Sequence, residues 1–201
     1  MKQIFLLVFF SSFILSAQPL QNFNKDRTQI DKRLMIGLGS WATSNFIVSG
    51  IGWATAPKGE AYYFHQMNVL WNTVNLGLAI PGYFKAKKEA RTLTLEETIK
   101  VQRRTENIFL INTALDVVYI SSGFALRNLA KSDLSKKDRF NGFGNGVILQ
   151  GGFLFIFDLT AYALHKCHVN KFLNTVEISP NGLGFNWNIG PKHIYKNHYF
   201  L

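Results

Sequence analysis

Four segments of about twenty residues contain no lysine or arginine, and they constrain the fold more than any other feature. They are residues 34–54, 61–84, 107–126 and 146–164. A helix rises 1.5 Å per residue, so about 20 apolar residues cross the hydrocarbon core of a bilayer. The pattern predicts an all-α fold, a four-helix transmembrane bundle. A buried soluble helical bundle is the alternative, because polar residues make the hydropathy of these segments marginal.

Composition and charge narrow the class of protein. The chain is 47% hydrophobic and 17% charged, whereas soluble domains carry about 25% charged residues. This balance excludes a disordered chain, and a single cysteine, Cys167, excludes an intrachain disulfide framework. The net charge of +10 suits a nucleic-acid-binding or a membrane protein. Because no zinc-finger or RNA-binding motif occurs and the segments exclude basic residues, we expect the lipid bilayer and not nucleic acid as the partner.

The N-terminus carries the pattern of a signal peptide. Lys2 precedes the apolar run 4–15, which small residues follow. The run is too short to cross a bilayer, and we expect cleavage after Ala17; an uncleaved anchor is the alternative. The predicted organisation is a signal peptide (1–17), a juxtamembrane segment (18–33), a four-helix membrane domain (34–166) and a tail with a β-hairpin (167–201).

The charges between the segments leave the membrane orientation open. Four crossings place 18–33, 85–104 and the tail on one side, and this side carries the larger share of the basic residues, so the positive-inside rule predicts that it is cytoplasmic. A cleaved signal peptide instead leaves the mature N-terminus outside. Either the first segment remains as an anchor, or one apolar segment does not span, or the charge rule fails here.

Local motifs predict the starts of helices and a hairpin near the C-terminus. Three pairs resemble capping boxes at helix starts: Thr28 with Asp31, Thr94 with Glu97, and Ser135 with Asp138. Beyond Lys166, residues 175–179 and 183–189 flank Pro180-Asn181-Gly182, which predicts a short C-terminal β-hairpin.

Polar residues inside the predicted spans lie on one face of each helix. On the second span His65, Asn68, Asn72 and Asn75 fall within an arc of about 80°. The other members of this predicted intramembrane polar site are Asn45 beside Trp41, then Asn112, Asp116 and Tyr119, then Asp158 and Tyr162, with Gln150 and His165 nearby. Ionisable groups in a membrane are functional candidates, but asparagine and tyrosine also hydrogen-bond helices together. Both roles stay open for this set.

Other motifs carry weaker signals. His165, Cys167 and His168 are metal-binding residue types, but at a helix end they also suit the helix dipole, and we predict no metal. His65 with His165 could ligate a haem, although we expect no cofactor. The glycines at 142, 144 and 146 lack a P-loop lysine and indicate flexibility or close packing.

Several of these motifs together resemble a known family. They are Tyr63-Phe64-His65-Gln66-Met67-Asn68 with Trp71-Asn72 and Asn75, Trp41 with Asn45, Asn112 with Asp116, and Ser179-Pro180-Asn181-Gly182-Leu183-Gly184. The chain resembles, over roughly residues 34–190, an uncharacterised family of small four-span bacterial membrane proteins with a signal sequence. The resemblance implies an envelope protein of a Gram-negative bacterium and brings no activity with it.

The sequence thus predicts a non-enzymatic, multi-pass integral protein of the bacterial inner membrane with a structural or interaction role. A membrane or periplasmic protein is its expected partner. The first alternative is a small transporter in which Asp116 and Asp158 bind a proton or cation. The second is a membrane enzyme that holds a cofactor with His65 and His165. No catalytic motif occurs in the chain.

Overall fold

The chain forms four long helices in a computed structural model. The structure describes residues 2–89, 92–173, 176–179 and 182–185, and the side chains of 18–89 and 92–173. The helices are α1 Lys2–Thr55, α2 Glu60–Lys88, α3 Leu95–Ser132 and α4 Lys137–Leu173, and a 3₁₀ turn, Leu134–Lys136, precedes α4. The first helix therefore includes the backbone of both the predicted signal peptide and the first predicted span.

Helix α4 is the centre of the bundle. It packs extensively against α3 and α2, α2 packs against α1, and α1 also touches α4. Close contacts give the directions: Gly52 lies against His65 and Gly82 against Met35, so α1 and α2 are antiparallel. Helices α3 and α4 are likewise antiparallel, whereas α2 and α4 are parallel. Helix α3 meets α1 and α2 mainly through side chains.

Glycines let α4 approach both neighbours closely. A Cβ on Gly142 would overlap the carbonyl oxygen of Glu60, and one on Gly146 would lie 3.0 Å from Met67 Cβ, both on α2. On the opposite face, a Cβ on Gly144 would lie 2.7 Å from the carbonyl oxygen of Gly123 on α3. Residues two apart face opposite ways on a helix, so the alternating glycines serve close packing on two sides.

Polarity is inverted between the interior and the surface of the bundle. Among the residues whose side chains the structure describes, five of the ten buried apolar residues are alanines, such as Ala42, Ala79 and Ala161, while fourteen polar or charged residues are buried. Large apolar residues point outward: Ile51 is 63% exposed and Ile156 is 67% exposed. A soluble bundle buries such residues, whereas a bundle in lipid exposes them and packs through small and polar side chains.

Of the described helices, three are long and apolar enough to cross a membrane. They are α1 from Gln18 to Thr55, α3, and α4 with its preceding turn, Leu134–Leu173. This agrees with the first, third and fourth predicted spans. Helix α2, which contains the second predicted span, is 29 residues long but falls short in hydropathy, because its inward face carries amides and a histidine.

One of the three predicted capping boxes is present. Thr94 caps α3: its side chain accepts a bond from the Glu97 amide, and the Glu97 carboxylate accepts one from the Thr94 amide. The prediction at Thr28 was wrong, because α1 continues through that position and its hydroxyl donates to the carbonyl oxygen of Lys25. The prediction at Ser135 was also wrong, because Asp133 caps the turn before α4.

Two short strands come after the helices. They are β1 Val176–Ser179 and β2 Gly182–Phe185, paired antiparallel with Val176 opposite Phe185. The intervening Pro180-Asn181, and the predicted strand residues 186–189, lie outside the described residues.

Candidate functional site

Two groups of polar side chains occupy the interior at the depth of the predicted spans. The first is a chain of hydrogen bonds that joins three helices, the amide chain, defined by Trp41, Gln150, Asn68, Asn72 and Asn75. Trp41 Nε1 on α1 donates to Gln150 Oε1 on α4 at 3.1 Å, and Gln150 Nε2 donates to Asn68 Oδ1 on α2. Both polar atoms of Gln150, a fully buried side chain, are therefore satisfied.

The amide chain continues along α2. Asn72 donates to the carbonyl oxygen of Asn68 at 2.8 Å, and Asn75 donates to Asn72 Oδ1 at 3.2 Å. The spacing of four and three residues keeps these side chains on one face. Because each amide has a partner, they stabilise the contacts of α2 at little desolvation cost.

The second group is the carboxyl pair, Asp116 on α3 and Asp158 on α4. Both side chains are buried. The two side chains lie close enough to interact, and Asn112 lies next to Asp158. Asp116 Oδ2 is buried and has no hydrogen-bond partner among the described residues.

A cavity of about 310 Å³ borders the carboxyl pair. All four helices contribute to its wall: Leu38 from α1, Asn75 and Trp71 from α2, and Phe157 from α4 beside the aspartates. The wall is mainly apolar, so the two carboxyls, Asn75 and Asn112 supply most of its polar atoms. Asn75 connects this cavity to the amide chain.

A second cavity, of about 400 Å³, lies next to the first towards the α2–α3 end of the bundle. Both cavities are lined by Met35, Ile108 and Phe109, so these three apolar side chains form the partition between them. Charged residues line the far side of the second cavity, among them Arg27 and Glu89.

Beyond the predicted spans the helices continue and enclose a charged network, the end cluster, defined by Arg27, Asp31, Glu89, Glu106 and His165 with Gln102. Arg27 is fully buried; its guanidinium lies 2.7 Å from Glu89 and 3.5 Å from Asp31. His165 Nε2 lies 3.1 Å from Asp31 Oδ1, and its ring stacks on Phe109.

The end cluster also joins α3 to α4. Gln102 donates to Glu106 at 2.9 Å and to the carbonyl oxygen of His165 at 3.1 Å. Lys166 lies 3.2 Å from Glu106, and Asn24 on α1 donates to Thr98 at 2.8 Å. Four helical segments are thus connected by charge-assisted bonds, which are stronger than neutral ones.

Sequence reasoning missed the end cluster. It counted Arg27 only among the basic residues of the flank 18–33 and placed Asp31 in a helix cap, whereas Arg27 is fully buried. The available signal was the acidic residues of the same flanks, Asp31, Glu89 and Glu106, whose charges offset the basic ones.

The other predicted site residues lie apart from the carboxyl pair or at its edge. Asn45 donates to the carbonyl oxygen of Trp41 on its own helix. His65 is half-buried, with its ring against Gly52. Tyr119 is 36% exposed and meets the edge of Trp71. Tyr162 packs against a small apolar cluster around Leu34 and Phe109, whereas Asp116 meets Asp158.

The histidines do not form one site. His65 lies beside Gly52 and His165 beside Asp31, positions about 30 Å apart along α1 at 1.5 Å per residue. A single haem cannot reach both, which overturns the haem alternative. His168 contacts the carbonyl oxygen of Phe23 at 3.0 Å and Cys167 is exposed; among the described residues no three histidine, cysteine or carboxylate side chains are placed to hold a metal ion.

Comparison of the chain with protein families agrees with the resemblance to an uncharacterised family. A sequence profile described as a family of unknown function (DUF6992) matches residues 37–159. That range contains the amide chain and the carboxyl pair and leaves out Arg27, Asp31 and His165 of the end cluster. No curated protein and no solved structure matches the chain.

Proposed function

The chain belongs to this family of unknown function, and from that premise we propose that it is a non-enzymatic, multi-pass integral protein of the bacterial inner membrane. The observation that carries the proposal is the inverted polarity: fully buried Gln150, Asn68 and Asn72 inside, large apolar residues outside. In this proposal α2 also crosses the membrane, as the fourth span, because its polar face is covered by α1 and α4. The tail, with its hairpin, and the basic ends then remain free for a protein partner.

Membrane integration is tested by extraction of cell membranes with alkaline carbonate, which removes peripheral proteins. We expect the protein to stay in the pellet and to be released only by detergent. Recovery in the carbonate supernatant would refute the proposal. Alkaline-phosphatase fusions after residues 58, 89 and 133 then show on which side of the membrane each inter-helix segment lies. With four crossings, the fusions at 58 and 133 must lie on one side and the fusion at 89 on the other.

The structural role is argued from the amide chain. Its hydrogen bonds join three helices, through the Trp41 indole on α1 and amides on α2 and α4, and leave no polar atom of Gln150 free, which is how polar residues hold helices together in lipid. A protein with this core needs no catalytic group inside it. Its contribution to the envelope then lies in what its ends bind.

A second candidate function is binding or transfer of a proton or a small cation at the carboxyl pair. A specific observation favours it: Asp116 Oδ2 is buried without a partner among the described residues, beside a cavity that also contains Asp158 and Asn112. Structural polar groups are normally satisfied. The second cavity offers an approach from the α2–α3 end, past Met35, Ile108 and Phe109.

Reconstituted vesicles with a trapped pH dye test this second candidate. If the carboxyl pair conducts protons, an imposed potential acidifies the lumen, and Asp116→Asn or Asp158→Asn abolishes the flux while the helical content is kept. Glu60→Gln is the matched control, since Glu60 is a carboxylate that bonds Asn145 away from the cavity. If the wild type shows no flux, or if both aspartate variants retain the flux, proton transfer at the carboxyl pair is refuted. The structural role is then the one proposed function that remains.

A further inference from the structure

A groove of about 600 Å³ lies between the end of α3 and the start of α4. Three cations line it: Arg127 and Lys131 from α3 and Lys137 from α4. Asn128 and Asn141 also line it and supply amide donors. The C-terminus of α3 and the N-terminus of α4 meet here with opposing helix dipoles, so the three side-chain cations set the charge of the groove.

Among the described residues, no carboxylate lines this groove, in contrast to two other cavities with several basic residues. The cavity at the end cluster contains Asp31 and Glu89, and the shallow groove around Lys100 contains Glu96. The groove at the start of α4 therefore has an unbalanced positive charge.

The nearest acidic groups are engaged elsewhere. Asp133 pairs with Lys136 at 3.1 Å, and hydrogen bonds from Ser135 and Lys136 lower the pKa of Asp133, so it stays ionised with its own partners. The carboxylate of Asp138 faces the α1–α2 turn, 4.0 Å from where a Cβ on Gly59 would lie. Neither removes the positive charge of the groove.

The wall of the groove is apolar on the side of the predicted membrane. Phe124, which lines the groove there, is 56% exposed. Phe124 lies at the end of the third apolar segment, 107–126, and therefore at the height of the lipid headgroups. A ligand that fits here carries a negative charge and an apolar chain together.

We propose that this groove binds the headgroup of an anionic phospholipid from the surrounding bilayer. Arg127, Lys131 and Lys137 hold the phosphodiester, since guanidinium and ammonium groups pair with phosphate oxygens. The first carbons of the acyl chains lie along Phe124. Basic pockets between membrane helices recognise anionic headgroups in this way. The inference rests on the membrane location proposed above and is independent of any role for the carboxyl pair.

Lipid retention by the full-length protein in a neutral detergent tests the inference. The purified protein is titrated with phosphatidylglycerol or phosphatidylcholine, and bound lipid is counted by native mass spectrometry. We expect the wild type to prefer phosphatidylglycerol. The triple variant Arg127→Gln, Lys131→Gln, Lys137→Gln loses that preference about tenfold or more, because each cation near an anionic surface contributes about 1 kcal/mol.

A charge-matched control separates a built groove from general attraction. Lys88→Gln, Lys100→Gln, Arg103→Gln removes the same charge from exposed positions at the other end of the bundle and keeps the preference. Circular dichroism of each variant verifies that the helices are intact. Equal loss in both triple variants, or unchanged retention in the groove variant, overturns the inference.

The probe also distinguishes lipid from soluble phosphate. If millimolar inorganic phosphate displaces the phosphatidylglycerol, the groove recognises phosphate and not a lipid, and the inference is wrong. Failure of membrane integration is measured separately by carbonate extraction, so a negative lipid result with a membrane-embedded protein counts against the groove alone.

Discussion

Replacement of Gly142 by alanine tests the close packing of α4 on α2. The added Cβ would overlap the carbonyl oxygen of Glu60 and lie 2.7 Å from Tyr63 Cβ and 2.8 Å from the amide nitrogen of Phe64. These are backbone and Cβ atoms, so no rotamer change relieves the overlap and α2 must shift. At Gly152, on the same helix, an added Cβ meets nothing within 4 Å, which makes Gly152→Ala the matched control.

The magnitude comes from two opposing effects. Overpacking costs about 1–3 kcal/mol, while alanine is about 1 kcal/mol more favourable than glycine within a helix. The second effect applies at both positions, so it cancels in the comparison. We expect Gly142→Ala to unfold about 1–3 kcal/mol more easily than Gly152→Ala.

Unfolding in mixed micelles of neutral detergent and dodecyl sulfate, monitored by far-ultraviolet circular dichroism, gives both free energies of unfolding. Gly152→Ala is expected at or above the wild-type midpoint and Gly142→Ala below it. If Gly142→Ala is as stable as Gly152→Ala, then α2 and α4 are not in backbone contact at this level, and the packing described for α4 is refuted.

Three further substitutions address other parts of the bundle. Thr94→Ala removes the cap of α3 and lowers stability by about 1 kcal/mol; hydrogen exchange should speed up in the first turn of α3, and unchanged exchange would contradict the cap. Gln150→Leu leaves Trp41 without its acceptor and lowers stability by about 0.6–2 kcal/mol; the Trp41 emission spectrum should change, and an unchanged spectrum would argue against the indole hydrogen bond. Glu89→Gln weakens the pairing of buried Arg27, and we expect a loss of about 1–3 kcal/mol; a double-mutant cycle with Arg27→Met should give a coupling, and simple additivity would argue against the ion pair.

The sequence was informative where the presence or absence of one residue type shows whether a segment lies in an apolar environment. Because charge is costly in an apolar environment, segments without lysine or arginine located the helices at 107–126 and 146–164. The spacing of Asn68, Asn72 and Asn75 defined one helix face, and the structure buries that face. Thr94 with Glu97 capped a helix because that motif needs only four consecutive residues.

What the sequence could not provide depends on which helices are neighbours. Nothing local indicates that Asp116 meets Asp158, since their contact results from the antiparallel packing of α3 and α4 at Gly123 and Gly144. Arg27 lies in a charged flank, and its burial arises only where four segments converge. Helix α2 is too polar to be recognised as a span by hydropathy alone for the same reason. The partners that satisfy its polar face lie on other helices, which the sequence does not identify.

The position of α4 at the centre of the bundle has a consequence for biosynthesis. It is the last of the four helices to leave the ribosome, yet it supplies the partners of Asp116 and Asn68. In the membrane location proposed above, the first three helices would hold amide and carboxyl groups in the bilayer without these partners until α4 inserts. A chain that stops before residue 137 is therefore expected to insert and yet remain unassembled, with these polar groups exposed to lipid.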